Sequence, residues 1–246
     1  MARVPILCYH NISPAPTAAR FAMLHVAEAN FERQLWALRR LGLRGVSMTE
    51  GLEKLGSGAR HRRVVLTFDD GYVDTFTAAL PLLRRYRCSA TCYVVSACIG
   101  GHSRWDDGQG RERQPLMTQE QIGQWLEAGM EIASHSCSHP RLPTLGEPEA
   151  TDEVSESRVS LRRIFGVAVD HFAYPFGKYT AQTIDAVKRC GYASAVTIEP
   201  GIARGGDDVH RLPRLIVSGR RGLSRFLLQV GTPYEDLRRV RSLFRA

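Results

Sequence analysis

Apolar runs and amphipathic stretches take turns along the chain. Residues 4–9 form a short apolar run, which predicts a strand. Phe31, Leu35, Leu38 and Leu41 recur at helical spacing behind Asn30, an N-cap type, and before Gly42, a stop. A short strand is expected around Val46 and a short helix from Thr49. Val64-Val65-Leu66-Thr67-Phe68 is apolar or β-branched throughout, as in a strand buried on both faces, and it runs into Asp69-Asp70-Gly71. Residues 72–86 read as a helix bent or interrupted by Pro81. Residues 90–95 read as a strand. Residues 100–114 are polar and glycine-rich, hence a long loop, with Trp105-Asp106-Asp107 inside it. Thr118 and Gln121 give a capping-box start to a helix that stops at Gly129. Strands at 130–134 and 169–174, a long amphipathic helix at 147–165 and another helix at 180–190 follow. The last strands are expected at 193–197 and 215–217, with two helices after them.

Strands alternating with helices at this spacing predict parallel βα units. Residues capable of chemistry recur just past the strands: His10, Asp69-Asp70, His135 and the Pro175-Phe176 turn. That placement is the mark of an active site at the carboxyl edge of a barrel or doubly wound sheet. A chain of 246 residues suffices for one barrel-sized domain, and the whole span 1–246 is read as one. Gly56-Ser57-Gly58 lacks a third glycine and precedes a strand, so it is not a dinucleotide fingerprint.

Composition narrows the partners. The net charge is +8, and all but three of the 33 basic residues are arginines scattered along helical segments. No aromatic-and-basic stripe accompanies them, so they read as a solvated surface, not a nucleic-acid site. Such a surface still favours an anionic substrate or membrane face. Six cysteines are too few for a disulfide scaffold and lack paired Cys-x-x-Cys spacing; several sit in apolar runs, as buried hydrophobes of a reducing compartment do. No signal-peptide region and no membrane-spanning run is read from the sequence, so a cytoplasmic location is expected.

Two acids at the end of a buried strand need compensation, by a cation or by capping of the next helix. His135-Ser136-Cys137-Ser138-His139 breaks the tie. Read as a helical turn, it puts two imidazoles on one face. Two histidines and a carboxylate from Asp69 or Asp70 form a facial set with open positions, which is what a catalytic metal site requires.

Thr67-Phe68-Asp69-Asp70-Gly71 and His135-Ser136-x-Ser138-His139 resemble the first two motifs of the polysaccharide deacetylase family, the NodB-homology or carbohydrate esterase family 4 domains. Phe172-Ala173-Tyr174-Pro175-Phe176-Gly177 is similar to the third. The resemblance implies an α/β fold, a distorted (β/α) barrel with fewer than eight complete units. It implies a metal-dependent deacetylase that removes the N-acetyl group of an amino sugar in a glycan, oligosaccharide or glycan precursor. A hydrolase of small non-sugar amides, or a degenerate carbohydrate-binding module, are the alternatives. The divalent metal would be Zn2+, with Co2+, Ni2+ or Fe2+ as substitutes, held by Asp70, His135 and His139. Asp69 would be the general base, and the Phe176 backbone N–H would face the oxyanion. Tyr174, Trp105 and Asp106 are expected to border the sugar.

Two motif positions depart from the family. Ala173 stands where an arginine usually orients the base; Arg211 and Arg214 are the candidates to replace it, and Arg214 is preferred. The C-terminal Leu-x-His is missing, and His210 is not set in that pattern. Leu7-Cys8-Tyr9-His10 offers a histidine at the end of the first strand instead, as in the circularly permuted branch. His10 is therefore expected to protonate the leaving amine.

Overall fold

The structure, a computed structural model, describes residues 2–15, 22–55, 62–107 and 112–232. Gly56-Ser57-Gly58 and the last expected helix lie outside the described residues. The strands are β1 (Arg3–Val4), β2 (Ile6–Tyr9), β3 (Arg44–Val46), β4 (Arg63–Phe68), β5 (Thr91–Val94), β6 (Glu131–Ser134), β7 (His171–Ala173), β8 (Ser194–Val196), β9 (Ala203–Arg204) and β10 (Leu215–Ile216). The helices are α1 (Glu28–Arg40), α2 (Met48–Leu55), α3 (Leu80–Arg85), α4 (Gln119–Glu127), α5 (Glu147–Phe165), α6 (Ala181–Arg189) and α7 (Leu223–Gly231). None of them is long and apolar enough to cross a membrane.

Seven strands form one parallel path in the order β10-β2-β4-β5-β6-β7-β8. It is a curled half-barrel, in line with the expected distorted (β/α) barrel of fewer than eight units. One edge of β4 pairs with β2, and the other is shared: β3 pairs with Arg63–Val65 and β5 with Thr67–Phe68. Beyond β8 the sheet is stitched towards its other end by one stretch of chain. Leu212 bridges to Val196, then Leu215 and Ile216 pair with Leu7 and Cys8. Arg214 lies in the middle of that seam.

The two-residue period of strand side chains decides what faces inward. Leu7 and Tyr9 of β2 and Val64, Leu66 and Phe68 of β4 join the outer core, against Phe31, Leu35 and Trp125 of the helices. Their alternates Ile6 and Val65 meet Tyr93, Ala133, Ala173 and Val196 inside the curl. Continuing the same parity past the strand ends carries Cys8 and His10, Thr67 and Asp69, and His135 to the inner carboxyl edge. The opposite end is closed by a polar knot. Glu131 accepts bonds from the Met48 N–H and the hydroxyls of Thr49 and Thr91, and it faces His171, which also bonds Ser194. Burial alone would raise the Glu131 carboxyl, but these donors hold it at about 2.

Three local expectations are corrected. Helix α1 starts at Glu28, so Asn30 lies inside it and does not cap it. The stretch before Pro81 is a π-helical turn, Thr75–Ala79, with the Leu80 N–H reaching back to the Thr75 carbonyl. Pro81 has no N–H and its ring crowds the preceding turn, and the widened turn absorbs both. The histidine loop is not a helical turn. Ser136 and His139 have φ of 66° and 64°, and that reversal, not helical pitch, turns the second imidazole back towards the first. By contrast, the Thr118 capping box forms, and α5 stops at left-handed Gly166.

Candidate active site

One cavity of about 310 Å³ opens at the carboxyl edge. It is lined by His10, Asp69, Asp70, His135, His139, Trp105, Asp106, Tyr174 and Phe176, alongside Met23, Leu24, Arg141, Gly177, Ile198 and Ile216. The structure thus brings together every predicted site residue except Arg214, which stands directly behind Asp69.

Asp70 projects from a left-handed residue (φ 75°) just after β4. Its Oδ1 lies 3.4 Å from Nε2 of both His135 and His139. All three side chains are buried, and their ligand atoms fall within 4.8 Å of one another. His135 Nδ1 donates to the Ala173 carbonyl at 2.8 Å, which fixes the ring orientation and leaves Nε2 facing Asp70. Burial and the charge of His135 hold the His139 imidazole at about 3, so it is a neutral donor at ordinary pH. Its Nδ1 is buried without a hydrogen-bond partner among the described residues. The Asp70 carboxyl is held far below its ordinary value: burial opposes this, but the hydrogen bond and charges of the histidines outweigh it. Burial alone would lower the His135 imidazole, but the Asp70 hydrogen bond and the Asp69 and Asp70 charges raise it, so the site favours positive charge at that ring. Two imidazole nitrogens and one ionised oxygen on one small volume fit a divalent cation, which would take the place of that proton.

Asp69 is held differently. Arg214, fully buried, grips it in a fork: Nη1 to Oδ1 and Nη2 to Oδ2, both 2.7 Å. The guanidinium is itself fixed by the Thr197 carbonyl on Nε and by Thr67 Oγ1. Burial alone would raise the Asp69 carboxyl; the charge and hydrogen bonds of Arg214 instead hold it at about 2. Arg211 sits on the surface, over the Tyr179 ring and 3.8 Å from Glu199. Cys8, His10 and Asp69 also have ligand atoms within 4.8 Å of one another. A guanidinium on both oxygens of Asp69 makes that set a poor cation site beside the Asp70 set.

The walls have distinct roles. Trp105 and Phe176 both pack on the His139 ring, with centroids 4.4 and 4.5 Å away, so both brace a candidate ligand. Phe176 is left-handed (φ 57°), which aims its peptide into the turn over the cavity. Gly177 has no room for a side chain: a Cβ there would sit 2.2 Å from Ile198. Tyr174 borders the cavity, but its hydroxyl donates to the His210 carbonyl. Asp106 is buried and accepts from Ser103 Oγ at 2.5 Å.

Two residues escape a reading of the sequence. Cys8 looks like a buried hydrophobe, yet its thiol, kept protonated by burial, lies 3.5 Å from Asp69 Oδ2. Its inward parity with His10 is the signal that finds it. Glu153 of α5 accepts from the backbone N–H of Cys137 and Ser138 and from Ser138 Oγ, pinning the loop that carries His139. Nothing local in the sequence marks a helix glutamate for that task.

A family model for polysaccharide deacetylases matches residues 56–195. The Bacillus subtilis (strain 168) protein YxkH, named for the same family, is 29% identical over 219 residues, covering 88% of this chain and 72% of YxkH. The poly-beta-1,6-N-acetyl-D-glucosamine N-deacetylase of Escherichia coli K12 is 23% identical over 93% of this chain, which spans only 38% of that protein. Among solved structures, the Streptococcus pyogenes deacetylase PplD in complex with acetate superposes with a TM-score of 0.81 at 26% identity, covering 94% of this chain and 99% of PplD.

Proposed function

Since the chain belongs to the polysaccharide deacetylase family, we propose that it is a metal-dependent amidohydrolase that removes the N-acetyl group of an amino sugar in a glycan, oligosaccharide or glycan precursor. The observation that carries the proposal is the pairing of two differently held carboxylates on one cavity: Asp70 against two histidines, Asp69 against a buried arginine. Neighbouring acids with separated environments are the arrangement that divides labour between ligand and base.

Asp70, His135 and His139 would hold the cation, with zinc the first choice for two imidazoles and one carboxylate. When bound, it supplies Lewis acidity towards an amide carbonyl and a water. Asp69 accepts the proton of the attacking water. Arg214 keeps that carboxylate ionised and in one orientation, the task that Ala173 leaves open. The Phe176 N–H donates to the developing oxyanion. His10, just past the neighbouring strand β2, delivers a proton to the leaving nitrogen. This role for His10 rests on reading the chain as the permuted branch, in which β2 takes the place of a C-terminal strand. Trp105 presents an aromatic face to the sugar, and PplD, related along nearly its whole length, is described in complex with acetate, the product such a reaction releases.

The test is acetate release from N-acetylglucosamine oligomers by the wild type and Asp69→Asn, after chelation and after zinc or cobalt is restored. Release that requires metal, and that Asp69→Asn abolishes while retaining bound metal, is the expected result. Metal binding without acetate from any sugar would overturn the substrate assignment.

A further inference from the structure

The rim of the cavity carries a cation that the proposed reaction does not use. Arg141 follows Pro140, two residues after His139, and is exposed. Its guanidinium lies over the Phe176 ring, 4.3 Å from the centroid, and Phe176 packs in turn on His139. Among the described residues no carboxylate ion-pairs with it and no carbonyl accepts from it. Its own backbone is fixed, because the Thr144 N–H and hydroxyl both bond the Arg141 carbonyl. Stacking on an aromatic ring immobilises the planar fork while leaving its N–H edge unengaged, so an incoming anion meets a preorganised donor pair.

The surroundings say what this donor pair faces. The walls of the same cavity include the apolar side chains of Met23, Leu24, Ile198 and Ile216, which carry no acceptor to compete with an anion for the guanidinium. The Asp69 charge is already neutralised by Arg214, and a divalent ion on Asp70 leaves excess positive charge. Asp106 lines the same cavity and repels an anion placed deep in it. That repulsion leaves the exposed rim beside Arg141 as the favourable position. A cavity of about 310 Å³ lies at the low end for a ligand site, so a larger group attached to the acetylated sugar extends past its rim, where Arg141 stands exposed.

We propose that Arg141 selects substrates in which the acetylated amino sugar carries a neighbouring anionic group, a carboxylate or a phosphate. The proposal rests on the deacetylase reading and adds the charge class of the substrate to it. Fork-like recognition of such oxygens is the function for which arginine is suited over lysine.

The test pairs matched probes. A tetrasaccharide alternating N-acetylglucosamine with glucuronate is compared with neutral chitotetraose, and N-acetylglucosamine 1-phosphate with free N-acetylglucosamine. Acetate release and calorimetric binding are both measured for the wild type, Arg141→Gln and Arg141→Lys. The wild type is expected to favour one or both anionic probes about tenfold in kcat/KM and in Kd, with the advantage falling as salt rises. Arg141→Gln brings the ratio close to one, and Arg141→Lys restores part of it. The probe pair that shows the advantage tells carboxylate from phosphate. A wild type that treats every pair alike, or an advantage that survives Arg141→Gln, overturns the proposal. If no probe releases acetate, the deacetylase reading falls, and the binding ratios still decide the role of Arg141.

Discussion

Replacing Arg214 with methionine removes the one full charge that faces Asp69 from within the seam. Both partners are buried, Arg214 at 0% exposure and Asp69 at 2%. Deleting one member of a buried pair strands the other, at a typical cost of about 3–5 kcal/mol. The proton linkage gives a second measure. The Asp69 carboxyl stands at about 2 against an ordinary 3.8, and each tenfold change in proton affinity is about 1.4 kcal/mol, so the lowering contributes on the order of 2.5 kcal/mol. For an acid lowered in this way the contribution is complete above pH 3.8 and disappears as pH falls through about 2. In Arg214→Met the burial of Asp69 is opposed only by the charges of His135 and His10, its carboxyl rises, and the sign inverts: the variant should gain stability as pH falls from 7 to 5. The assay is urea unfolding in chelator at both values, with Asp69→Asn and the double variant completing a cycle. The double variant should recover most of what Arg214→Met loses. A single variant within about 1 kcal/mol of wild type, or two losses that simply add, would refute the argument.

Four further outcomes follow from the same geometry. His135→Ala should abolish tight zinc binding in calorimetry, and chelation, which lowers the wild-type Tm, should leave its Tm unchanged. Glu153→Ala releases the loop behind His139 and should weaken metal affinity about tenfold or more while leaving the fold intact by circular dichroism. Cys8→Ser keeps a donor on Asp69 Oδ2 and Cys8→Val does not; the valine variant should lose about 1 kcal/mol of transition-state stabilisation, read as roughly fivefold in kcat/KM, with the serine variant close to wild type. Phe176→Ala removes the ring between His139 and Arg141 and should raise KM more for anionic than for neutral sugars.

The parallel βα order could be read from the sequence because buried parallel strands are uninterrupted apolar runs, and Val64 to Phe68 is one. The acids and histidines were visible for the same reason: polar residues directly after such a run have few places to go. What could not be read was set by contacts between residues far apart in the chain. The partner of Asp69 lies 145 residues away across the seam, so local pattern could offer Arg211 and Arg214, with Arg214 preferred, but could not show the fork that holds the base. The His135–His139 loop looked helical because two histidines four apart also share a helix face; the reversal at Ser136 leaves no mark in composition. Asn30 failed as a cap because the chain is already helical from Glu28, with Ala27 in the cap position before it.

The seam at residues 212–216 also orders events during synthesis. Asp70, His135 and His139 are all synthesised before residue 140, whereas Arg214 is added 75 residues after His139 and is buried only when β10 docks beside β2. A nascent chain can therefore assemble its cation set while Asp69 still lacks its arginine. The candidate metal ligands are thus complete in the chain before the base has its partner, and the pairing of β10 with β2 is what brings Arg214 to Asp69.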